Sequence, residues 1–329
     1  MMGGSITCHS KYGHGTTFVV KISQERLSDE RIGDFKDRHR QYMKERKTYK
    51  SKLCAPDVSV LVVDDNVMNL KVIKMMLKPT RMKVSTCASG AECLELIKKY
   101  RYDIILMDHM MPEMDGMETF HRAMLMRDSL CGRSTYIVMT ANAVMGAREM
   151  YLAEGFKDYI SKPVQPEVLE DILMRYIPED KLVDPMACDE DRESPTMGVG
   201  TVDDTAGVME KQNSDTSLKD VHIDHEKGLT YCGGSEDFLK EIISMYAADD
   251  KRAEIQKAYD EKDWDGYRIL IHTVKSTSRT IGAMELGDEA QELENAVKEL
   301  DVDMICKMHE SVMAYYSAVL DWCRATTAQ

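Results

Sequence analysis

The sequence lacks several features that would fix its class at once. None of its 329 residues belong to an uninterrupted apolar run of the 18 or so residues that a membrane-spanning helix needs, and no signal-peptide pattern opens the chain. Its nine cysteines are odd in number, and none form a C-x-x-C pair. We therefore expect a cytoplasmic protein whose cysteines are reduced packing residues, with neither a disulfide framework nor a zinc site.

The sequence is also short of positive charge. It contains 43 Lys and Arg against 57 Asp and Glu, a net charge of −14. Because contacts with DNA phosphates require a concentration of basic residues, direct nucleic-acid binding is not expected. The apolar content of 43% excludes wholesale disorder, and the length allows two domains or more.

Four short apolar runs in the first half are typical of buried parallel strands. They span Val58–Val63, Asp103–Met107, Thr135–Met139 and Lys157–Ile160, and the segments between them are long enough for helical crossovers. The pattern predicts an open α/β sheet, in which ligands bind outside the carboxyl ends of the strands.

Five polar residues stand at or just after the ends of these runs. They are Asp64, Asp65, Asp108, Thr140 and Lys162. Three converging carboxylates would raise each other's pKa unless a cation lay among them, and Mg²⁺ suits such oxygen ligands best. A phosphoryl group there needs its charge neutralised, which Mg²⁺, a lysine ammonium and a hydroxyl donor supply. Asp108 is then the predicted acceptor, and the product is an aspartyl phosphate.

These residues lie in segments that resemble the receiver domain of two-component signalling, over about residues 57–178. The segments are Val63–Asn66, Leu106–Gly116, Met139–Ala141 and Tyr159–Pro163. The resemblance implies a flavodoxin-like fold with a doubly wound, five-stranded parallel sheet. It implies that Asp64 and Asp65 hold Mg²⁺ directly or through water, that the backbone carbonyl of Met110 is a further ligand, and that Thr140 and Lys162 bind phosphoryl oxygens.

Three neighbouring residues complete the predicted site. Tyr159 stands where the family has an aromatic switch that turns inward as the threonine moves toward the phosphate, with plain partner contact as the alternative. Pro163 is expected to follow a cis peptide bond that aims the lysine. His109 is rejected as a metal ligand, because Mg²⁺ disfavours imidazole and the side chain of a strand neighbour points away from that of Asp108.

Two charged segments flank the predicted receiver and are expected to be linkers. Residues 24–56 contain ten Lys or Arg and six Asp or Glu, with almost no apolar periodicity. Residues 179–220 contain twelve acidic and four basic residues, and cannot bury enough apolar area to offset chain entropy.

The last block, residues 221–325, has no strand signals but repeats apolar residues at i, i+3 and i+4. One such repeat consists of Phe238, Ile242, Ile243 and Tyr246. Four or five amphipathic helices with short connections predict an antiparallel all-α bundle.

His272 is the most unusual residue of the predicted bundle. Helical spacing places it with Lys275, Ser276 and Arg279 on one face, which we expect to be open for docking. The segment Ile271–Ala283 resembles the histidine-containing phosphotransfer (HPt) domain, which relays phosphate between receivers, although Ser276 stands where that family most often has glycine. His272 is then the predicted phosphohistidine, and a surface histidine without chemistry is the alternative.

Residues 1–23 resemble the closing hairpin of a histidine-kinase ATPase domain. Gly13-His-Gly15, followed by Thr16 and Thr17, matches the last glycine motif of that domain. The earlier motifs are not in this sequence, so we do not expect ATP binding or autophosphorylation. We interpret the chain as the C-terminal part of a bacterial hybrid sensor histidine kinase, whose parent protein is expected to be membrane-bound.

The sequence therefore predicts a phosphorelay protein. A phosphoryl group on Asp108 would be exchanged with His272 or with a partner, which would be a histidine kinase, a response regulator or an HPt protein. Two alternatives stay open: a response regulator that controls transcription through a partner, and a non-functional fragment of a hybrid kinase. The direction of phosphate flow is not set by the sequence.

Overall fold

The structure is a computed structural model that divides into two compact units, residues 1–47 and 48–329. The residues that it describes are 5–11, 15–21, 51–141, 147–184 and 221–327. Among the described residues, none of the helices has the length and hydrophobicity that a membrane span requires.

The first unit contains an antiparallel hairpin of strands β1 (Ser5–Lys11) and β2 (Gly15–Lys21). In its register Cys8 pairs with Phe18. A two-stranded hairpin is thus present where it was expected. Gly13 of the predicted glycine motif lies outside the described residues, and the origin of the hairpin in an ATPase domain stays a prediction.

The second unit begins with an α/β domain built on a five-stranded parallel sheet. Its strands are β3 (Ser59–Val63), β4 (Lys83–Cys87), β5 (Ile104–Asp108), β6 (Thr135–Thr140) and β7 (Asp158–Ser161). Their order in the sheet is β4-β3-β5-β6-β7. Every residue of β5 is buried, because helices cover both faces of the sheet. The predicted doubly wound fold is confirmed.

The helices of this domain begin where the sequence supplies a cap. They are α1 (Val67–Leu77), α2 (Gly90–Lys99), α3 (Gly116–Leu125), α4 (Ala147–Glu154) and α5 (Pro166–Tyr176). The side chains of Asn66, Ser89 and Asp115 accept hydrogen bonds from first-turn backbone amides. A Cβ on Gly116 would lie 2.1 Å from the carbonyl oxygen of Asp108, so glycine is needed for α3 to begin this close to β5.

The packed domain extends beyond both predicted boundaries. Leu53, Cys54 and Ala55 are buried, although we assigned them to the basic linker. The amide of Ala55 donates to the carbonyl of Thr80 at 2.9 Å, and the amide of Val183 donates to the carbonyl of Cys54 at 2.9 Å. Apolar residues on either side of the predicted domain thus pair with each other, which composition alone does not reveal.

Cys54 is disulfide-bonded, and the prediction that all the cysteines are reduced is therefore wrong. Pairing depends on how closely the fold brings two Cα atoms together, and sequence spacing does not give that distance. The free thiols among the described residues are Cys8, Cys87, Cys93, Cys131, Cys232, Cys306 and Cys323.

The all-α bundle forms the rest of the second unit. Its helices are α6 (His225–Tyr231), α7 (Glu236–Ala248), α8 (Arg252–Glu261), α9 (Trp264–Thr280), α10 (Met284–Lys298) and α11 (Val302–Thr327). The described part of the bundle thus has six helices, where four or five were expected. Helix α8 buries only Ile255 and Ala258, so its apolar periodicity is weak.

Two apolar cores hold the second unit together. One lies on a single face of the sheet and includes Leu61, Ile105 and Phe120. The other begins on the opposite face, with Val62 and Ile73, and continues without a break into the bundle. The α/β domain and the bundle therefore share buried apolar surface, which favours their association.

Candidate functional site

The three predicted metal ligands lie together at the carboxyl edge of the sheet. One oxygen each from Asp64, Asp65 and Asp108 lies within 4.8 Å of the others. Asp64 and Asp108 are buried, and Oδ1 of Asp108 has no hydrogen-bond partner among the described residues. A buried carboxylate oxygen without a partner, beside two further carboxylates, fits a hard cation with oxygen ligands.

Lys162 bridges two of these carboxylates. Its Nζ atom lies 2.6 Å from Oδ2 of Asp64 and 2.8 Å from Oδ2 of Asp108. The Lys162–Pro163 peptide bond is cis, as expected. Thr140 is buried at the end of β6, between β5 and β7, and its carbonyl accepts the amide hydrogen of Lys162 at 2.7 Å. The sheet thus brings together the five residues that strand-end reasoning selected.

The protonation of this cluster reflects its burial. Burial is the largest cause that raises the pKa of Asp108 to about 8. Lys162 opposes this shift, and the charges of Asp64 and Asp65 add to it. Burial and the charge of Asp64 raise the pKa of Asp65 to about 6. Burial alone would lower the pKa of Lys162, but the two buried carboxylates beside it raise that pKa instead. A cation in addition to the Lys162 ammonium would therefore favour the ionised, nucleophilic form of Asp108.

Two predicted residues sit at the rim of this cluster. Tyr159 is half-buried on β7 and packs against the core that contains Leu61. Met110 is half-buried shortly after β5. The switch role of Tyr159 and the carbonyl ligand role of Met110 stay predictions.

A tyrosine that the sequence did not reveal joins the site from α4. The hydroxyl of Tyr151 lies 3.0 Å from Nδ1 of His109 and 3.2 Å from Oγ1 of Thr140. His109 thus contacts a hydroxyl, and its rejection as a metal ligand stays a prediction. Burial lowers the pKa of His109. Nothing in the apolar pattern of α4 distinguishes Tyr151 from a core residue.

His272 lies near the middle of α9 and is buried, with 5% of its surface exposed. Its Nδ1 atom lies 3.4 Å from Oε1 of Glu294, and neither ring nitrogen makes a well-formed hydrogen bond within the described residues. Burial lowers the pKa of His272 to about 4, although Glu294 opposes the shift. The imidazole is therefore neutral near pH 7, the form that can act as a nucleophile.

Glu294 also pairs with two lysines, and this corrects the predicted open face of α9. Lys275 is fully buried, and its Nζ atom contacts Oε2 of Glu294. Lys298, one turn along α10, places its Nζ atom 2.7 Å from Oε1. Burial raises the pKa of Glu294, but His272 and Lys275 outweigh this and lower it. Lys275 thus forms a buried ion pair, because α10 packs over the side of α9 that we had expected to be exposed.

Comparisons with known proteins assign both domains. Residues 60–174 match the family described as response regulator receiver domain, and residues 236–322 match the Hpt domain family. The chain contains a receiver domain and an Hpt domain. The predicted relationship to hybrid sensor histidine kinases is confirmed by the sequence similarity of such kinases to this chain.

Two curated relatives match most of this chain over a smaller part of their own length. The signal transduction histidine-protein kinase BarA of Shigella flexneri is 26% identical over 255 residues, which are 75% of this chain and 25% of BarA. The sensor protein GacS of Pseudomonas syringae is 25% identical over 243 residues, 73% of this chain and 24% of GacS. The chain therefore spans about a quarter of the length of these relatives.

The receiver domain also resembles solved structures. The receiver domain of the sensor histidine kinase PA1611 from Pseudomonas aeruginosa, solved with a magnesium ion in its active-site cleft, is 34% identical. The match covers 36% of this chain and 96% of that one, with a TM-score of 0.33.

The receiver domain contacts the Hpt domain at the face of α9 that carries Ser276. A narrow gap between the domains is lined from the receiver side by Lys162, Pro163 and Val164, among others, and from the Hpt side by Ser276 and Thr280. The small residue one turn after His272 thus faces the loop that holds the lysine of the acidic cluster.

Further contacts hold the two domains together. Lys71 on α1 forms an ion pair with Glu241 on α7. A cavity of about 530 Å³ separates the domains beside Asp65, which is one of its lining residues. Arg279 instead turns to Asp288 on α10, with its Nη2 atom 2.7 Å from a carboxylate oxygen. Its predicted docking role stays a prediction.

Proposed function

We propose that Asp108 accepts a phosphoryl group in a Mg²⁺-dependent reaction and exchanges it with His272 of the same chain. The observation that supports this most strongly is the narrow gap between the domains, which residues 162–164 line on the receiver side and Ser276, one turn after His272, lines on the Hpt side. Two buried groups with unsatisfied polar atoms, Asp108 Oδ1 and the His272 imidazole, thus belong to domains that touch at the edge of the acidic cluster.

The receiver residues supply the first step. Mg²⁺ held by Asp64, Asp65 and Asp108, with the carbonyl of Met110, would neutralise the carboxylates and the phosphoryl oxygens. An oxygen of Asp108 forms the new bond to phosphorus, and the bond from phosphorus to the donor's leaving group breaks. Lys162 then pairs with one phosphoryl oxygen, and the hydroxyl of Thr140 donates to another.

The Hpt domain supplies the second step. Nε2 of the neutral His272 attacks phosphorus, the bond between phosphorus and the Asp108 oxygen breaks, and the carboxylate leaves paired with Lys162. A carboxylate oxygen of Glu294 would accept a hydrogen bond from the Nδ1–H group and stabilise the positive ring that forms. Its own charge is held by Lys275 and Lys298. With the ring hydrogen on Nδ1, the attacking Nε2 atom has no proton, as nucleophilic attack requires.

Exchange with other proteins is the wider part of the proposal. A histidine kinase, a response regulator or a separate Hpt protein would supply or accept the phosphoryl group, as the receiver and Hpt assignments support. A cytoplasmic location for these domains belongs to the same proposal.

The test uses the full chain and radiolabelled acetyl phosphate. Aspartyl phosphate is base-labile, whereas phosphohistidine is base-stable and acid-labile. Asp108→Asn should abolish all label, because the amide is a poor nucleophile at phosphorus. His272→Gln should keep the base-labile label and lose the base-stable one.

His225→Gln is the matched control, because His225 lies exposed in the same bundle and pairs with Glu236. It should label like the parent protein. Base-stable label at parental levels in His272→Gln would contradict the proposed acceptor, and base-labile label persisting in Asp108→Asn would contradict the proposed donor.

A further inference from the structure

Arg268 lies on α9 one helical turn before His272, and the i, i+4 spacing places both residues on one face of the helix. Its Nε atom is buried and has no hydrogen-bond partner among the described residues. Within the same part of the chain, its guanidinium forms no ion pair with a carboxylate. A buried donor of this kind is stabilised when an anion with acceptor oxygens binds beside it.

Other cations around His272 are already paired with carboxylates. They are Lys275 and Lys298, which both pair with Glu294, Arg279, which pairs with Asp288, and Lys162, which pairs with Asp64 and Asp108. If Lys275 turned to another anion, the buried carboxylate of Glu294 would lose part of its neutralising charge, which burial makes costly. Among the described residues on this face of α9, Arg268 is therefore the cation that can bind a further anion without breaking an ion pair.

Arg268 also lies close to the receiver site. Burial is the largest cause that lowers the pKa of His109, and the positive charge of Arg268 adds to this shift across the domain boundary. His109 follows Asp108 directly in the chain. In the other direction, the charge of Lys162 adds to the burial that lowers the pKa of His272 to about 4. The charges of each domain thus act on the reacting part of the other, and Arg268 borders the space between Asp108 and His272.

The phosphoryl group needs a cation at its destination. In the proposed function, Mg²⁺ and Lys162 counter its charge on Asp108. On Nε2 of His272 it shares the ring with the carboxylate of Glu294, which lies 3.4 Å from Nδ1. Because these negative charges repel, transfer is favoured when a further cation contacts the phosphoryl oxygens. A guanidinium is planar and always charged, and it can donate parallel hydrogen bonds to two oxygens of one phosphoryl group.

We propose that Arg268 is a catalytic residue of the transfer, whose guanidinium binds phosphoryl oxygens while phosphorus moves from Asp108 to Nε2 of His272. The inference rests on the proposed function and adds a residue to that site. The bond from phosphorus to the Asp108 oxygen breaks and leaves its electron pair on the carboxylate, while the bond from Nε2 to phosphorus forms. Arg268 exchanges no proton in this step, because a guanidinium stays protonated in proteins. Labelling of Asp108 by a small donor does not need Arg268, since Mg²⁺ and Lys162 serve that step.

The test is the time course of acetyl phosphate labelling in the full chain with Mg²⁺. Base-labile label measures Asp108, and base-stable, acid-labile label measures His272. Arg268→Gln removes the charge and keeps a polar side chain. We expect it to slow the formation of base-stable label about 100-fold, the lower end of the effect of removing one donor to a transition-state oxygen. The base-labile label should stay at or above the parental level.

Three further variants separate chemistry from packing. Arg268→Lys keeps the charge but loses the fork of donors, so its transfer rate should fall between those of the parent and Arg268→Gln. Arg268→Ala leaves room for a small cation, and ethylguanidinium at concentrations too low to unfold the bundle should raise its transfer rate. Arg324→Gln is the matched control, because it removes the same charge from the same domain on another helix, where Arg324 lies 2.8 Å from Asp250. It should transfer at the parental rate.

The outcomes separate the inference from the function beneath it. A parent protein that forms base-labile but no base-stable label overturns the proposed transfer, and the role of Arg268 fails with it. Where the parent transfers, a parental rate in either Arg268→Gln or Arg268→Lys overturns the inference alone, so one folded variant is enough for the test. A slow rate in Arg268→Ala that ethylguanidinium does not raise also overturns it, because the loss then reflects altered packing.

Discussion

The buried ion pair between Lys275 and Glu294 gives the sharpest test of the Hpt site. Lys275 is fully buried, and the side chain of Glu294 is 1% exposed. Glu294→Gln keeps the volume and removes the charge, which leaves the Lys275 ammonium in the bundle without its carboxylate. Breaking a buried pair from one side costs about 3–5 kcal/mol, because the remaining charge stays desolvated. The amide introduced by this substitution can still accept one hydrogen bond, so we expect the free energy of unfolding to fall by about 3 kcal/mol, at the lower end of that range.

The assay is urea unfolding followed by tryptophan fluorescence. The chain has two tryptophans, Trp264 on α9 and Trp322 on α11, so the signal reports the bundle rather than the receiver domain. A domain of ordinary stability, about 5–15 kcal/mol, stays folded after such a loss. The urea concentration at the midpoint of unfolding should therefore fall, while the slope of the unfolding free energy against urea concentration should change little.

Two further variants show whether burial is the cause. Lys298→Met removes the other lysine from Glu294, but this lysine is partly exposed, so the cost should be about 1 kcal/mol or less. Lys275→Met combined with Glu294→Gln removes the stranded charge and should recover most of the stability. Equal losses for Glu294→Gln and Lys298→Met, or no recovery in the double variant, would refute the reasoning.

Three other predictions concern the reacting groups. EDTA should abolish labelling of the receiver domain, and labelling that EDTA leaves unchanged would contradict the metal site. Asp65→Ala should weaken labelling and make labelling less dependent on Mg²⁺, because a carboxylate of the cluster is lost. Lys162→Ala should accept phosphate slowly and show smaller amide shifts on phosphorylation, since the phosphoryl charge loses its fixed cation; parental shifts would refute that role. The free energy of unfolding of the parent, relative to that of His272→Gln, should fall by about 3 kcal/mol as the pH drops from about 6.5 to about 4. The reason is that burial lowers the pKa of His272 to about 4, so the unfolded chain binds the proton at a higher pH than the folded chain does. Urea titrations that show the same pH dependence for both proteins would exclude this.

The receiver site could be predicted because its geometry follows from local rules. Each of the five polar residues stands within two positions of the end of an apolar run, and parallel strands joined by crossovers place those ends at one edge. Strand β4 gave a weaker signal, since it lies at the edge of the sheet with mostly half-exposed residues. Tyr151 was missed because it reaches the site from α4, where an inward-facing tyrosine looks like any other core residue.

The Hpt site was predicted less well, because its contacts join residues on different helices. Helical spacing correctly put His272, Lys275 and Ser276 near one another, but it contained no information about the surface that covers them. Glu294 lies on the next helix, and its only visible signal was the i, i+4 spacing to Lys298, which usually indicates a solvated pair. Burial of Lys275 thus depends on the packing of α9 against α10, which the spacing did not specify.

Two hydroxyl residues lie on the face of α9 that borders the receiver domain. Ser276 and Thr280 line the gap to the receiver domain, and both are buried. Their hydroxyls donate to carbonyls of the same helix, Ser276 to Thr273 at 3.2 Å and Thr280 to Ser276 at 2.9 Å. Such local bonds satisfy a hydroxyl without help from a neighbouring domain. The receiver domain can therefore cover this face while both hydroxyls keep their hydrogen bonds. When the receiver domain moves away, no hydrogen bond between the domains has to break at these two positions.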